Sequence, residues 1–472
     1  MAKTLYLLGT LWLTLWISVA VSADERDIDR SAFAVPGQPA WTALTAFEMQ
    51  VIDRFTGASA QQASADELLA LFLVASGNVR SEADYHHYRE QLLSFLASHD
   101  ELIEADSPRE TGALLLRLMH RHFFGAGYDA NQSAMAEILD TGVYNCISSA
   151  LLYIVLAEYL GLNPSGVIMP SHAFAQLMLD DGQIIEVETT SEDGFDVIRD
   201  PEFFARQAEQ WFSERRLVVA DYSDYENRRQ ISAAELGFEN MWVQHISVDR
   251  MNYADRLRMA ELKGLMQADD LVAQHNRLVY YYQEADYLKR HDEAAWTALM
   301  SRIDPYLSDW QTVSLFEQHR FTDRDTLLPM LLLQSHHAEW MLSNNKVEEG
   351  LGLAEALLAE TPDQLRDAHV IRAGALQAIE QYYMSLAARH WENQQWGQVI
   401  SVYHEYLGKD LESPSRSVFQ VNLEAAYLNS SSDYWQSEER DVAISLLEAC
   451  IIRLPVAEQC HQRLQEMRQV LL

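Results

Sequence analysis

Positive charge is scarce in this sequence. Its 472 residues include 35 lysines and arginines against 70 aspartates and glutamates, which gives a formal net charge of −35. A surface this acidic repels the phosphates of nucleic acids and of anionic membranes, and it favours solubility. We therefore expect neither a nucleic acid nor a membrane among the partners of the mature protein.

Metal-binding and phosphate-binding patterns are also missing. The chain has no CxxC or HExxH spacing and no glycine-rich loop of the kind that surrounds a phosphate. The histidines of His86–His87 and His120–His122 are adjacent or two residues apart, so their side chains diverge on a helix. The sequence therefore predicts no metal site and no cofactor.

Long apolar runs are absent beyond the amino terminus. There, an apolar run follows Lys3 and ends in the small residues Val21–Ser22–Ala23, before a charged segment. This pattern is typical of a secretory signal peptide. The alternative is an uncleaved membrane anchor, since the run is barely long enough to span a bilayer. We expect a secreted or periplasmic protein, with a signal peptide over residues 1–23, cleavage after Ala23 and an extended leader over 24–42.

Cysteine is rare too, with three residues in the chain. An exported protein would carry them in an oxidising compartment. Cys450 and Cys460 lie five residues either side of Pro455. If two antiparallel helices meet near that proline, the two thiols face each other and can form a disulfide. Cys146 would then be the unpaired thiol. The alternative is three free, buried cysteines.

The stretch from Tyr144 to Glu188 organises the rest of the chain. Cys146 begins a helix pattern with little polar surface, which indicates a central, buried helix. Asn145 is a good N-cap residue, so Cys146 should lie in the first turn. The unpaired N–H groups and the helix dipole there favour a thiolate. Gly161 should end this helix.

A hairpin pattern follows the helix. His172 opens an alternating run, Asp180–Asp181–Gly182 is a turn signal, and the chain then runs back. If the turn has three residues, His172 is a same-face diagonal neighbour of Glu188, while Glu186 faces Gln176 and is too far away. A two-residue turn would flip the register and separate His172 from Glu188.

These side chains suit covalent catalysis. Cys146 would be the nucleophile, His172 the base that activates it, and Glu188 the carboxylate that orients the imidazole. The acidic residues Glu192, Asp193 and Asp196 could compete for the third role, but the strand register favours Glu188. The alternative is a structural one, because a cysteine on an apolar helix is often a small core residue.

In the motifs Asn145–Cys146, His172–Ala173–Phe174 and Ile184–Thr190, the chain resembles the transglutaminase-like superfamily. Its papain-like core carries Cys, His and Asp in this order, and Glu188 takes the place of the aspartate. The motifs YNCIS, PSHAF and EVETT look more narrowly like bacterial members that carry tetratricopeptide repeats. The resemblance is specific over about residues 107–200.

The resemblance implies an acyl-transfer enzyme, either a peptidase or amidase or a transglutaminase, that acts on a protein or peptide. The signal-peptide pattern adds that this enzyme is exported. In the rival interpretation, the same core is a non-catalytic scaffold that serves as a protein-interaction module.

The expected fold class is an α+β transglutaminase-like core with N-terminal helices, followed by an all-α repeat domain. Residues 43–230 should form the first domain. Apolar residues at three- and four-residue spacings predict its amino-terminal helices. These helices are expected over Asp66–Ala75, Glu82–Ala97 and Arg109–Phe123.

Residues 231–472 should form the second domain, a series of helix pairs that binds a protein partner. Small and apolar residues at repeat-like positions mark three tetratricopeptide-like units. Asn429–Asp433 is expected to be a longer turn within the third unit. The marker residues are Ala338, Gly350, Leu357 and Pro362 in the first unit, Ala387, Val399, Tyr403 and Tyr406 in the second, and Ala425, Ala443, Leu447, Cys450 and Pro455 in the third.

Overall fold

A computed structural model describes residues 44–56, 63–77, 79–170, 172–212, 222–246, 253–308, 327–363, 365, 367–409 and 411–471. The predicted signal peptide and leader lie outside these residues. The described residues form two compact units, which divide between Glu284 and Ala285. Within the described ranges, no helix is both long and apolar enough to cross a membrane.

The first unit combines helices with a small sheet. The amino-terminal helices lie within one residue of their predicted bounds, and a serine N-cap begins each of them: Ser64, Ser81 and Ser107 accept a backbone N–H three residues on. The elements in chain order are α1 (Ala46–Phe55), α2 (Ala65–Ala75), α3 (Glu82–Ala97), α4 (Glu101–Glu104), α5 (Pro108–His122), β1 (Gly127–Tyr128), α6 (Met135–Thr141), β2 (Val143–Tyr144), α7 (Cys146–Tyr159), β3 (Pro164–Met169), β4 (His172–Met178), β5 (Ile184–Val187), α8 (Pro201–Phe212), α9 (Tyr222–Glu226), β6 (Arg229–Ile231), α10 (Ala233–Ile246), α11 (Tyr253–Met266) and α12 (Leu271–His291).

The sheet has the strand order β5–β4–β3–β6 and is antiparallel throughout. Both of its faces are covered. Ala175 and Leu177 of β4 point into the main core of the unit. Phe174, on the opposite face, packs in a second apolar cluster with Val167 and Phe204. Strands β1 and β2 form a separate parallel pair, and β2 ends two residues before Cys146.

Helix α7 lies at the centre of the main core, as the sequence predicts. All its side chains from Ala150 to Ala157 are fully buried, and α2, α5, α6 and α10 pack against it. Helices α10 and α11 follow residue 231, where the repeat domain was expected to begin. Their residues Leu236, Phe238 and Met259 lie in the same core as α7, so the first compact unit extends beyond the expected domain boundary.

The described residues of the second unit form helices and the turns that join them. Each helix from α14 onward packs against the next, and α14 also packs against α16. The close contact between α14 and α15 requires Gly350, where a β-carbon would lie 2.9 Å from Leu342 Cγ. After the end of α12, the helices are α13 (Glu293–Ser308), α14 (Leu327–Ser343), α15 (Val347–Glu360), α16 (Ala368–Glu392), α17 (Trp396–Gly408), α18 (Arg416–Gln436), α19 (Arg440–Arg453) and α20 (Glu458–Leu471).

The same three-residue loop joins three successive helix pairs. In each loop the middle residue has positive φ, at 64° for Asn345, 53° for Gln394 and 65° for Glu438. The backbone N–H of the next residue donates to the carbonyl five residues earlier, which satisfies the end of the first helix. These bonds are Lys346 to Met341 at 3.0 Å, Gln395 to His390 at 2.9 Å and Glu439 to Tyr434 at 2.9 Å.

The predicted turn at Asn429–Asp433 is wrong. These residues lie inside α18, and the chain turns instead at 437–439. Ser430 and Ser431 are buried, and the Ser431 hydroxyl donates to the Ala443 carbonyl at 2.9 Å. Packing between α18 and α19 therefore overrides the local preference of asparagine, serine and aspartate for turns.

The predicted disulfide between Cys450 and Cys460 is present, with a Cα–Cα distance of 6.5 Å. Cys146 remains a free thiol. Glu424 of α18 supports the same end of α20, since its Oε1 accepts from the backbone N–H groups of Gln459 at 2.8 Å and Cys460 at 3.1 Å.

Replacing both paired cysteines, Cys450→Ser/Cys460→Ser, should lower the free energy of unfolding by about 2–3 kcal/mol, because the bond restricts the unfolded chain around a short loop. Urea denaturation with and without reductant would measure this. Reductant should shift the wild-type midpoint and leave the double variant unchanged. An equal midpoint for wild type and double variant would contradict the prediction.

Candidate active site

Cys146 occupies the first position of α7. The Asn145 side chain accepts from Ser148 N at 3.0 Å, and the Ser148 hydroxyl accepts from Asn145 N at 2.9 Å. This capping box fixes the start of the helix at the cysteine. Cys146 is partly exposed, whereas Asn145 and Ile147 on either side of it are buried. The thiol thus lies at the positive end of the helix dipole.

His172 lies at the start of β4 and is buried. The hairpin has the register that a three-residue turn predicts: Leu179 N donates to Gln183 O at 2.9 Å, and Gln176 lies opposite Glu186. Gly182 supplies the positive φ, 82°, that the turn requires. The same register brings the side chains of His172 and Glu188 together.

The carboxylate of Glu188 is held at both oxygens. Oε2 accepts from His172 Nε2 at 2.7 Å. Oε1 accepts from the backbone N–H of Thr190 at 3.0 Å and from its hydroxyl at 2.6 Å. The side chains of His172 and Glu188 are both fully buried. Because Nε2 bonds Glu188, the nitrogen left to face Cys146 is Nδ1, and the carboxylate selects this orientation of the ring.

The charges at the site favour a thiolate–imidazolium pair. Removal from water raises the pKa of the Cys146 thiol, but the charge of His172 and hydrogen bonds from the His172 ring and the Ala173 backbone N–H outweigh this and lower that pKa. Burial opposes the charge on His172, yet the charges of Glu188 and Cys146 together raise the pKa of His172. Each group therefore stabilises the charged form of the other.

Glu186 has different partners. Its carboxylate accepts from Arg199 Nε at 3.0 Å, from Arg228 Nε at 2.7 Å and from the Tyr225 hydroxyl at 2.6 Å. Glu186 is itself buried. This side chain therefore ties the sheet to the segment that covers the Phe174 face, and it does not contact His172.

The competing acidic residues also lie elsewhere. Glu192 pairs with Arg121 at 3.3 Å, Asp196 pairs with Arg109 at 2.5 Å, and Asp193 acts electrostatically on His120. Among the described residues, groups of three or more side chains that could hold a metal ion are absent.

Sequence reasoning missed the contacts that surround the carboxylate. His120 Nε2 hydrogen-bonds the Thr189 carbonyl at 3.0 Å, and the Thr189 and Ser149 hydroxyls lie 2.8 Å apart. Thr190, next in the chain, bonds Glu188 itself. The threonine pair directly after Glu188 was the one signal in the sequence, since threonine hydroxyls often bond side chains and backbone two residues away.

A family model described as "Transglutaminase-like superfamily" matches residues 86–201. The match begins in α3, upstream of the region where the motifs are specific, and it includes Cys146, His172 and Glu188. Residues 86–201 therefore form a transglutaminase-like domain. No curated protein and no solved structure matches the chain.

Glu186→Gln should destabilise the protein, although Glu186 lies too far from His172 to act in the candidate site. The substitution removes a buried charge to which two arginines and a tyrosine donate, and hydrogen bonds to a charged group contribute about 1.5–3 kcal/mol. The free energy of unfolding from urea denaturation should fall by an amount of this order. A urea midpoint for Glu186→Gln equal to that of the wild type would show that the hydrogen bonds to Glu186 add nothing to stability.

Glu188→Gln should instead change His172. Without the carboxylate the pKa of His172 should fall towards its ordinary value of about 6.5, and turnover should drop by as much as about 10⁴-fold because the ring can adopt the wrong tautomer. NMR titration of labelled histidine would measure the pKa, with Glu186→Gln as the matched control. If the pKa of His172 were lower in Glu186→Gln than in Glu188→Gln, Glu186 and not Glu188 would be the carboxylate that acts on His172.

Proposed function

We propose that this protein is an exported, thiol-dependent acyl-transfer enzyme in which Cys146, His172 and Glu188 are the catalytic residues. The observation that carries this proposal is the 2.7 Å hydrogen bond between His172 Nε2 and Glu188 Oε2, beside a helix-start thiol whose pKa the charge of His172 lowers. The match of residues 86–201 to the transglutaminase-like superfamily supports the same chemistry.

In the first half-reaction, the Cys146 thiolate attacks the carbonyl carbon of an amide. The C–N bond breaks, the His172 imidazolium gives its proton to the leaving amine, and a thioester remains on Cys146. The backbone N–H of Cys146 lies in the first helical turn, where no carbonyl of the helix can accept a hydrogen bond from it. It is therefore the expected donor to the oxyanion that forms during attack.

In the second half-reaction, an acceptor attacks the thioester. Neutral His172 takes a proton from the acceptor, and the thiolate leaves. Water as acceptor gives a peptidase or amidase, and a primary amine gives a transglutaminase. The chain's own residues perform the same steps in both cases, so the substrate class is a protein or peptide amide and the acceptor decides the product.

The helical second unit is proposed to bind a protein partner or substrate as a tetratricopeptide-like repeat domain. Its support is the three-fold recurrence of the same loop, centred on Asn345, Gln394 and Glu438. The disulfide between Cys450 and Cys460 supports export, because such bonds persist in oxidising compartments.

Cys146 reactivity tests the proposal. Iodoacetamide should alkylate Cys146 of the native protein quickly at neutral pH, where an ordinary thiol with a pKa of about 8.5 is mostly protonated. The folded protein lowers the pKa of Cys146, so the alkylation rate should stay high below neutral pH. It should fall only when acid protonates the thiolate. Mass spectrometry would locate the modification and give its rate at each pH.

Activity would be assayed as amine release from a peptide library and as incorporation of a fluorescent primary amine into protein. Cys146→Ala should lower either activity by on the order of 10⁴-fold or more while the urea midpoint stays near wild type. A native thiol that reacts only after unfolding would favour the non-catalytic scaffold instead. Retained activity in Cys146→Ala would remove the thiol from the mechanism.

A further inference from the structure

The glutamate at position 188 poses a geometric problem. It has one more methylene than the aspartate for which it substitutes, so its carboxylate has an additional torsion to fix before it can orient an imidazole. A single hydrogen bond, from Oε2 to His172 Nε2 at 2.7 Å, leaves the carboxylate able to rotate about that bond. Something else must hold the second oxygen.

Thr190 holds it with two donors. Its backbone N–H lies 3.0 Å and its hydroxyl 2.6 Å from Glu188 Oε1. Hydrogen bonds at both oxygens fix the plane of the carboxylate and direct Oε2 at the ring. Thr190 is 4 % exposed, so water does not readily replace the hydroxyl.

The backbone that carries Thr190 is itself anchored. His120 of α5 bonds the Thr189 carbonyl at 3.0 Å. The Thr189 hydroxyl lies 2.8 Å from Ser149 Oγ, and Ser149 Oγ donates to the carbonyl of Cys146 at 3.2 Å. These bonds join the turn after Glu188 to the same helical turn that carries the thiol.

We propose that Thr190 is a positioning residue that keeps the Glu188 carboxylate aligned with His172. This inference rests on the proposed role of Glu188, and it assigns to Thr190 no contact with substrate. The Thr190 hydroxyl is the part that a side-chain substitution can remove, because the backbone N–H remains in any variant except proline.

The test is the titration of His172, followed by NMR in protein with labelled histidine and assigned through loss of its signal in His172→Gln. Thr190→Val keeps the shape of the side chain and removes the hydroxyl. If the carboxylate then turns away from the ring, the pKa of His172 falls towards its ordinary value of about 6.5. Alkylation of Cys146 by iodoacetamide should then slow by about tenfold at about pH 7.5, where a histidine of that pKa is mostly neutral and an ordinary thiol is mostly protonated. Thr190→Ser should restore both values.

Thr189→Val is the matched control, since it removes a neighbouring hydroxyl that does not touch Glu188. It loosens the anchor to Ser149 but keeps both Thr190 donors to Glu188, so it should lower the pKa of His172 by less than Thr190→Val does. Thr190→Val should also have no further effect on His172 in a Glu188→Gln background, because the positioning acts through the carboxylate. Thr190→Ala provides the same comparison if the valine variant fails to fold.

The outcomes separate the two proposals. A His172 pKa that is unchanged or raised in Thr190→Val would overturn the positioning role, as would an equal fall in the Glu188→Gln background. A His172 titration that behaves as expected, in a protein whose Cys146 is unreactive, would support the role of Thr190 while contradicting the proposed enzyme activity.

Discussion

The turn at Asp180–Gly182 sets the register of the β4–β5 hairpin, and both the core and the candidate site depend on that register. Ala175 and Val187 lie opposite each other and pack in the core around α7. His172 and Glu188, which point to the other face, meet only in the same alignment. A slip of the register by one residue would turn Glu186 and Glu188 towards α7 and bury their charges in the apolar core. Hydrophobic packing therefore favours the register that brings His172 and Glu188 together.

The site also shows how environment divides the work of two buried carboxylates on one face. Glu186 meets the guanidinium groups of Arg199 and Arg228 and acts as a structural tie. Glu188 meets an imidazole, whose charge responds to the thiol beyond it. Glu186 and Glu188 are both buried glutamates. Only the side chains that they contact separate the structural carboxylate from the one suited to catalysis.

Much of this arrangement could be predicted because its signals are local. Asn145 marks a helix start with its own side chain, and the length of the turn decides which residues of the hairpin meet. The arginines around Glu186 could not be predicted, since Arg228 lies 42 residues away and the intervening chain gives no spacing rule. Ser430 and Ser431 were misassigned to a turn because their burial against α19 is a tertiary effect that no local preference encodes.

The close return of the chain at Gly194 limits how this protein could be re-engineered. The Gly194 carbonyl accepts from Glu188 N at 2.9 Å, and a β-carbon at position 194 would overlap the Glu188 carbonyl oxygen. The loop of five residues between Glu188 and Gly194 therefore tolerates no larger residue at position 194. A substitution at Gly194 made to alter substrate range would therefore displace the backbone of Glu188, the residue that orients His172.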